Sequence, residues 1–473
     1  MSRPLSPGTG PSGPDGPRGL EDGAETAAPA SGTTDHARRA ALGSFAGAVI
    51  DWYDFILYGL VAALVFNKEF FPNVSPAIGT LAAFATFGVG FLFRPLGGIV
   101  FGHFGDRLGR KQMLVLTMIL MGSATTLIGF LPSYATIGWW APFLLVVLRA
   151  VQGFAVGGEW GGAALMAVEN APRARRALYS SGVQVGYSVG LVIATGFVLL
   201  MNSVLSESQF ISWGWRVPFL SSVVLVAIGL WVRSRVQDGH EARVRVEAAE
   251  HTAKQHGKRR IPLLEALRRH PGAFARIFGL RLVELFTGYL VTTFALSYAT
   301  DHYGYPRQFM LNIALLVGGL GIVTIPVYAY LSDRFGRRRI YVTGALAGAV
   351  GGVPFFLAMQ SGSRVGIVIG AVVLFNVAHD LAVSVQQPLF TEMFGAEYRY
   401  SGAGVGYQFA SAIAGGLTPF IAAALATATH QSWHLVAAYL VVGCLISAVL
   451  AWRLPRDRRT TEPAAATKVA VSS

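Results

Sequence analysis

Charge is scarce in this chain. Only 13% of its 473 residues are Asp, Glu, Lys or Arg, about half the ~25% usual for soluble proteins. Cys444 is the single cysteine, which rules out an intramolecular disulfide and any cysteine-built metal cluster. The first 40 residues hold no apolar run, whereas a signal peptide needs about 7–15 consecutive apolar residues. No Gly-x-x-x-x-Gly-Lys-Ser/Thr phosphate loop occurs, so ATP-driven work has no engine here, and no His-Glu-x-x-His zinc motif is present. Apolar residues make up 53%, mean hydropathy is +0.50, and there are 56 glycines. A soluble enzyme, a disordered scaffold and a disulfide-stapled secreted domain are excluded. The composition is that of an all-α polytopic membrane protein.

Apolar segments fall at roughly 42–66, 77–103, 113–131, 140–167, 178–201 and 215–232, and then at 274–299, 309–331, 340–359, 365–388, 401–426 and 433–452. Each is near the ~20 residues that cross a bilayer. The organisation predicted is a disordered tail over 1–40, a six-helix bundle over 41–232 and a linker over 233–273. A second six-helix bundle over 274–453 and a tail over 454–473 complete it. With an inside amino terminus, 31 of the 38 basic residues fall in inside loops and tails. Lys68, Arg307 and Arg364 fall outside, and Arg94, Arg149, Arg216 and Arg281 lie within spans. The positive-inside rule then places both termini in the cytoplasm. It also accounts for the net charge of +13 without nucleic-acid binding. Trp139, Trp140, Trp213 and Trp215 fall at span ends, where an aromatic belt is expected.

The two halves repeat each other. Gly105-Asp106-Arg107-Leu108-Gly109-Arg110 after span two returns 227 residues later as Ser332-Asp333-Arg334-Phe335-Gly336-Arg337 after span eight. Glu169 and Arg176 after span four correspond to Glu392 and Arg399 after span ten, and Val185-Gly186-Tyr187 to Val405-Gly406-Tyr407. Such duplication is common in transporters, with the substrate held at the midplane between repeats. The loop Gly102–Lys111 and its second copy resemble the signature loop of the major facilitator superfamily. Asp51-Trp52-Tyr53-Asp54-Phe55, Arg94-Pro95-Leu96-Gly97-Gly98, Arg149-Ala150-Val151-Gln152-Gly153 and Gly157-Gly158-Glu159-Trp160 extend the resemblance to its metabolite:proton symporters. Gly182-Val183-Gln184-Val185-Gly186-Tyr187, Ala378-His379-Asp380 and Tyr400–Gln408 agree with it, and the likeness covers about 36–455.

Ionisable groups inside spans cost at least about 2.5–3.5 kcal/mol each, so each needs a partner or a function. Asp51 lies near the middle of span one, with Asp54 and Tyr58 at i+3 and i+7 on the same face. Burial disfavours a carboxylate's charge and a nearby arginine favours it, so a carboxyl alternating between such surroundings carries protons. Either aspartate fits, and a static pair with a basic residue is the competing reading. Arg149, with Gln152 at i+3 and Glu159 at i+10, suits an organic anion, because a guanidinium grips a carboxylate with two N–H groups. It could instead bridge to Asp51, Asp54 or Glu159. Gln184 and Tyr187 offer neutral partners for hydroxyls. Arg281 and Glu284 stand i,i+3 and could neutralise each other. His379 aligns with Gln386, and the His379-Asp380 pair could relay protons or orient substrate. Tyr407 and Gln408 join the candidate binding residues, and Glu159, Glu284 and Asp380 the candidate proton carriers. Asp106, Arg107, Arg110, Asp333, Arg334, Arg337, Arg94, Glu169, Arg176, Glu392 and Arg399 are assigned to the cytoplasmic gate. The Gly186-Tyr187-Ser188-Val189-Gly190 string fits a hydrolase elbow but lies within an apolar helix; with Gly182 it reads as close helix packing.

The resemblance implies twelve helices in two bundles, alternating access, and proton-coupled import of shikimate or a closely related hydroxylated organic acid. It further implies a multi-pass inner-membrane protein that works as a monomer, with protons for coupling and no cofactor or metal. Rival readings are another aromatic acid, a dicarboxylate, proline or betaine as cargo, or an integral-membrane enzyme.

Overall fold

In a computed structural model, residues 31–108, 110–157, 176–235, 270–394 and 399–454 are described. Ten helices among them are long and apolar enough to span a bilayer. A bent pair, Glu207–Gly214 with Arg216–Trp231, and the shorter apolar helix Val115–Phe130 complete twelve. We number them α1 (Phe45–Glu69), α2 (Pro76–Phe101), α3 (Arg110–Phe130), α4 (Trp140–Gly157), α5 (Ala177–Val204) and α6 (Arg216–Arg235). The second half has α7 (Pro271–Tyr303), α8 (Arg307–Phe335), α9 (Arg337–Gln360), α10 (Arg364–Glu392), α11 (Gly404–Ala428) and α12 (His434–Trp452). The spans expected from sequence are thus present, while 158–175 of span four, 236–269 and 455–473 lie outside the described residues.

Two features differ from expectation. The helix leading into α1 starts at Ser31, so ten residues assigned to a disordered tail are helical. The last proline before this helix is Pro29, and His36-Ala37-Arg38-Arg39-Ala40-Ala41 is rich in strong helix formers. Trp139, Trp140 and Trp213 are exposed at helix ends, but Trp215 is fully buried. It packs edge-on against Phe66, Phe70 and Phe219 at the carboxy-terminal end of α1.

α1 and α7 are the most enclosed spans, 89% and 94% buried, against 44% for α2, α4, α8 and α12. Each contains one π-helical turn, Ala62–Phe66 and Leu290–Phe294, at matching places in the two halves. Outward faces carry Leu127, Val350, Val442 and Ile446, an apolar surface suited to lipid. The halves meet along two seams, α5 against α8 and α2 against α11. Glycine brings the helices close there. A Cβ on Gly318 would sit 3.1 Å from Leu191, and one on Gly88 3.1 Å from the Gly416 carbonyl.

Within the first half, α2 and α4 touch backbone to backbone. A Cβ on Gly153 would lie 1.7 Å from the Gly90 carbonyl oxygen, and one on Gly157 1.9 Å from that of Arg94. On α5, Gly186 and Gly190 likewise press on α1, whereas a Cβ on Gly182 meets nothing within 4 Å. The turn at Phe93 that breaks α2 precedes Pro95, which has no N–H to continue the helix ladder. Gly153→Ala is therefore predicted to destabilise the protein by about 1–3 kcal/mol or more. Gly182→Ala should leave its thermal transition unchanged. Melting curves of the two variants in detergent would check both, and equal transitions would contradict the packing.

Candidate functional site

α4 carries Arg149 into the middle of the first half, where its side chain is fully buried. The guanidinium carbon lies 4.1 Å from the ring centres of both Phe55 and Tyr58, and 5.2 Å from that of Phe87. α2 passes beside it at Gly90, where a Cβ would come within 2.5 Å of Arg149 Nε. Arg149 Nη1 donates to Gln152 Oε1 at 3.1 Å. Nε and Nη2 have no hydrogen-bond partner, and among the described residues no carboxylate pairs with the group. The bridges to Asp51 or Asp54 considered from sequence are not formed; Glu159 lies outside the described residues. The Tyr58 hydroxyl donates to Thr86 Oγ1 at 2.6 Å, so Tyr58 meets Arg149 with its ring face.

Asp54 on α1 is also fully buried and has only hydroxyl partners. It accepts from Thr125 Oγ1 on α3 at 2.9 Å and from Ser222 Oγ on α6 at 3.1 Å. Asp51 is buried one turn earlier, within electrostatic reach of Arg94. Arg94, assigned to the gate from sequence, sits in the interior at 3% exposure, 3.9 Å from the ring centre of Phe55 and 4.1 Å from that of Phe91. Phe55 thus carries two buried guanidinium groups.

The second half is built differently. Arg281 on α7 is fully buried but neutralised, donating to Glu284 through Nε (3.1 Å) and Nη2 (2.9 Å). Its Nη1 donates to the Tyr407 carbonyl at 2.6 Å and to Ser411, and the Tyr407 ring lies beneath it at 3.3 Å. Gln386 Nε2 donates to Glu284 Oε2 at 2.6 Å. His379 Nδ1 is 2.9 Å from Asp380 Oδ1, while Asn376 and Thr324 donate to Asp380 Oδ2. Gln408 is buried with both amide atoms unpartnered.

A cavity between the halves is lined by Trp52, Gln184 and Tyr187 from the first and by Glu284, Tyr289, His379 and Val383 from the second. It has room for about one water molecule. Trp52 meets Tyr187 edge-on with centres 4.7 Å apart, and Phe375 stacks on His379 at 4.6 Å. Tyr289 stands between this space and the arginines, with its ring packed on Phe87 and Phe91. Sequence reasoning missed Tyr289, Thr125 and Ser222. Hydroxyl-bearing residues are frequent in these spans, and nothing in their spacing sets these three apart.

Polar contacts join the two halves at either end of the spans. At the end of the spans away from the termini, outer in the orientation expected from the basic residues, Arg307 Nη2 reaches Glu207 Oε1 across the halves at 2.8 Å, with Lys68 at 4.0 Å from the same atom. At the opposite end, inner in that orientation, the Asp333 carboxylate accepts from the backbone N–H groups of Ala177 (3.3 Å) and Leu178 (3.1 Å). A carboxylate from one half therefore sits at the positive amino end of α5 in the other. Arg337 donates to both oxygens of Glu392 at 2.8 Å in its own half. Arg334 is exposed. The side chains of Asp106, Arg107, Arg110, Glu169, Arg176 and Arg399 lie outside the described residues.

The sequence profile of the Major Facilitator Superfamily matches residues 44–419 and 285–472. The shikimate transporter of Escherichia coli (strain K12) is 63% identical over 427 residues, covering 89% of this chain and 95% of that one. The proline/betaine transporter of Salmonella typhimurium (strain LT2) is 34% identical over 417 residues, covering 87% and 82%. Among solved structures, the partially occluded inward-open xylose transporter XylE from E. coli superposes with a TM-score of 0.70. At 17% identity, over 90% of this chain and all of that one, it supports the fold alone.

The outer lock yields a prediction that the buried position of Cys444 makes easy to read. Arg307→Glu replaces an ion pair across the halves with like charges, which should hold the outer side open. A cysteine placed at Gln184 should then react with an impermeant thiol reagent from outside up to about fivefold faster than with Arg307 intact, as loss of an exposed ion pair of ~1 kcal/mol would give. An unchanged rate would show that the pair is not a lock.

Proposed function

This chain belongs to the major facilitator superfamily, and on that premise we propose that it imports shikimate, or a closely related hydroxylated organic acid, together with protons by alternating access. The observation that carries the reading is Arg149. A fully buried guanidinium, held by aromatic faces and one amide, keeps two nitrogens without partners. Aromatic contacts contribute about 0.5–2 kcal/mol each, far below the cost of burying a charge alone. A substrate carboxylate supplies the missing counter-charge and fits the planar fork of donors. The 63% identical relative named as a shikimate transporter supports the cargo.

Asp54 carries the proton. Its partners are neutral hydroxyls, which can donate to a carboxylate or accept from a carboxylic acid, so both protonation states are satisfied. Glu284 is committed to Arg281 and Gln386 and is the poorer carrier. Gln184, Tyr187, Tyr289 and His379 are placed for the hydroxyls of a ring acid. In this reading the protein is a monomer of a bacterial-type inner membrane with both termini cytoplasmic. It needs no cofactor beyond the coupling proton and catalyses no reaction.

The test is uptake of labelled shikimate into proteoliposomes under an imposed inward proton gradient, with and without a protonophore. Concentrative uptake that collapses with the protonophore is expected; uptake that only equilibrates would remove the coupling. Arg149→Lys should fold yet lose at least about tenfold in uptake, because a point charge cannot reproduce two parallel donors. Normal uptake by that variant would remove Arg149 from the carboxylate role.

A further inference from the structure

Arg149 and Asp54 make no direct contact, yet buried groups from four helices join them. Arg149 Nη1 on α4 donates to Gln152 Oε1 at 3.1 Å, and Gln152 Nε2 donates to Thr125 Oγ1 on α3 at 2.6 Å. Thr125 Oγ1 in turn lies 2.9 Å from Asp54 Oδ2 on α1 and 3.0 Å from the Met121 carbonyl oxygen. Ser222 on α6 donates to the other carboxylate oxygen. All five side chains are fully buried, so water does not substitute for any link.

A hydroxyl has one hydrogen, and that of Thr125 has two acceptors. When Asp54 is ionised, the hydrogen goes to the carboxylate, since a charge-assisted bond is roughly twice as strong as a neutral one. When a proton binds Oδ2, Asp54 becomes the donor and Thr125 Oγ1 the acceptor. The Thr125 hydrogen then turns to the Met121 carbonyl. Gln152 donates to Thr125 in both states. In the first state the dipoles line up from carboxylate to guanidinium, and each bond strengthens the next. In the second the link to Asp54 is reversed and the negative charge is gone.

We infer that Thr125 is a positioning residue that couples the charge of Arg149 to the protonation of Asp54, so that the proton loads before the anion. Protonation of Asp54 loosens the hold of Gln152 on Arg149 and leaves the guanidinium for the substrate. Loss of the proton to the inside restores the hold and favours release. The inference rests on the roles given above to Asp54 and Arg149. The charge acting on Asp54 is Arg149 from α4; the titratable groups near it on α1 are the neighbouring Tyr53, with Asp51 one turn before and Tyr58 one turn after. The Tyr53 hydroxyl is bonded to the Pro218 carbonyl of α6 at 2.8 Å. α3 and α6 present the hydroxyls of Thr125 and Ser222, and α5 brings Tyr187 against Trp52.

The test compares the unmodified chain, Thr125→Val and Thr125→Ser in proteoliposomes, with folding verified by thermal melting. Thr125→Val should keep substrate counterflow within about threefold while gradient-driven accumulation falls at least about tenfold, the size of one hydrogen bond to a charged group. Mild acidification should tighten shikimate binding to the unmodified chain and leave the valine variant unchanged, since linkage is reciprocal. Thr125→Ser keeps the hydroxyl and should behave as the unmodified chain. If the valine variant does not fold, Thr125→Ala replaces it with the same expectations, and the serine variant must still accumulate normally. Normal accumulation without the hydroxyl, or failure of a folded serine variant, overturns the relay alone. Uptake by the unmodified chain that ignores the proton gradient overturns both the relay and the reading it rests on.

Discussion

The structure is organised around a buried positive charge, Arg149, with which no carboxylate pairs among the described residues. Arg149 lies between the faces of Phe55 and Tyr58 and beside α2 at Gly90, with a single hydrogen bond donated to the Gln152 amide oxygen. Each surrounding feature follows from holding it there. The glycines of α2 and α4 let two backbones touch so that a long side chain can lie along the seam. The hydroxyl of Tyr58 is turned to Thr86, which leaves its ring for the guanidinium. Arg281 supplies the contrast within the same molecule. It is equally buried, but Glu284, the Tyr407 carbonyl and Ser411 take up its donors. One half therefore holds a cation that calls for an anion, and the other holds a cation already answered.

That asymmetry fits a carrier that must bind without holding on. The halves meet along α5–α8 and α2–α11, where glycines permit close approach and small relative movement. At the outer end an exposed ion pair joins Glu207 to Arg307; at the inner end Asp333 caps α5 of the other half. Exposed ion pairs contribute only about 0–1 kcal/mol. A carboxylate at a helix amino end contributes about as much, up to ~2 kcal/mol in a partly buried setting. Locks of this size break readily, as alternating access requires.

Much of this was legible in the sequence because bilayers impose strict rules. Twenty-residue apolar runs gave the spans, and the i,i+3 spacing of Arg281 and Glu284 anticipated their bond. The depth of Arg149 and Asp54 marked both as needing a partner or a role. Other features depend on contacts between helices, which one-dimensional periodicity does not encode. Arg94 stood near the signature loop in sequence, yet the break before Pro95 leaves it inside, against Phe55. Thr125, Ser222 and Tyr289 became visible only when four helices were brought together. The helical start at Ser31 shows how alanine and arginine can extend a span backward as soon as proline ends.

The central claim is that the uncompensated charge of Arg149 meets the carboxylate of the cargo. Calorimetric titration with shikimate and with its methyl ester, on the unmodified protein and on Arg149→Gln, tests this as a thermodynamic cycle. The unmodified protein should bind the acid at least about tenfold better than the ester, as one charge-assisted pair implies. That preference should vanish in the variant. An equal preference for the acid in both proteins would place the carboxylate elsewhere and contradict the account.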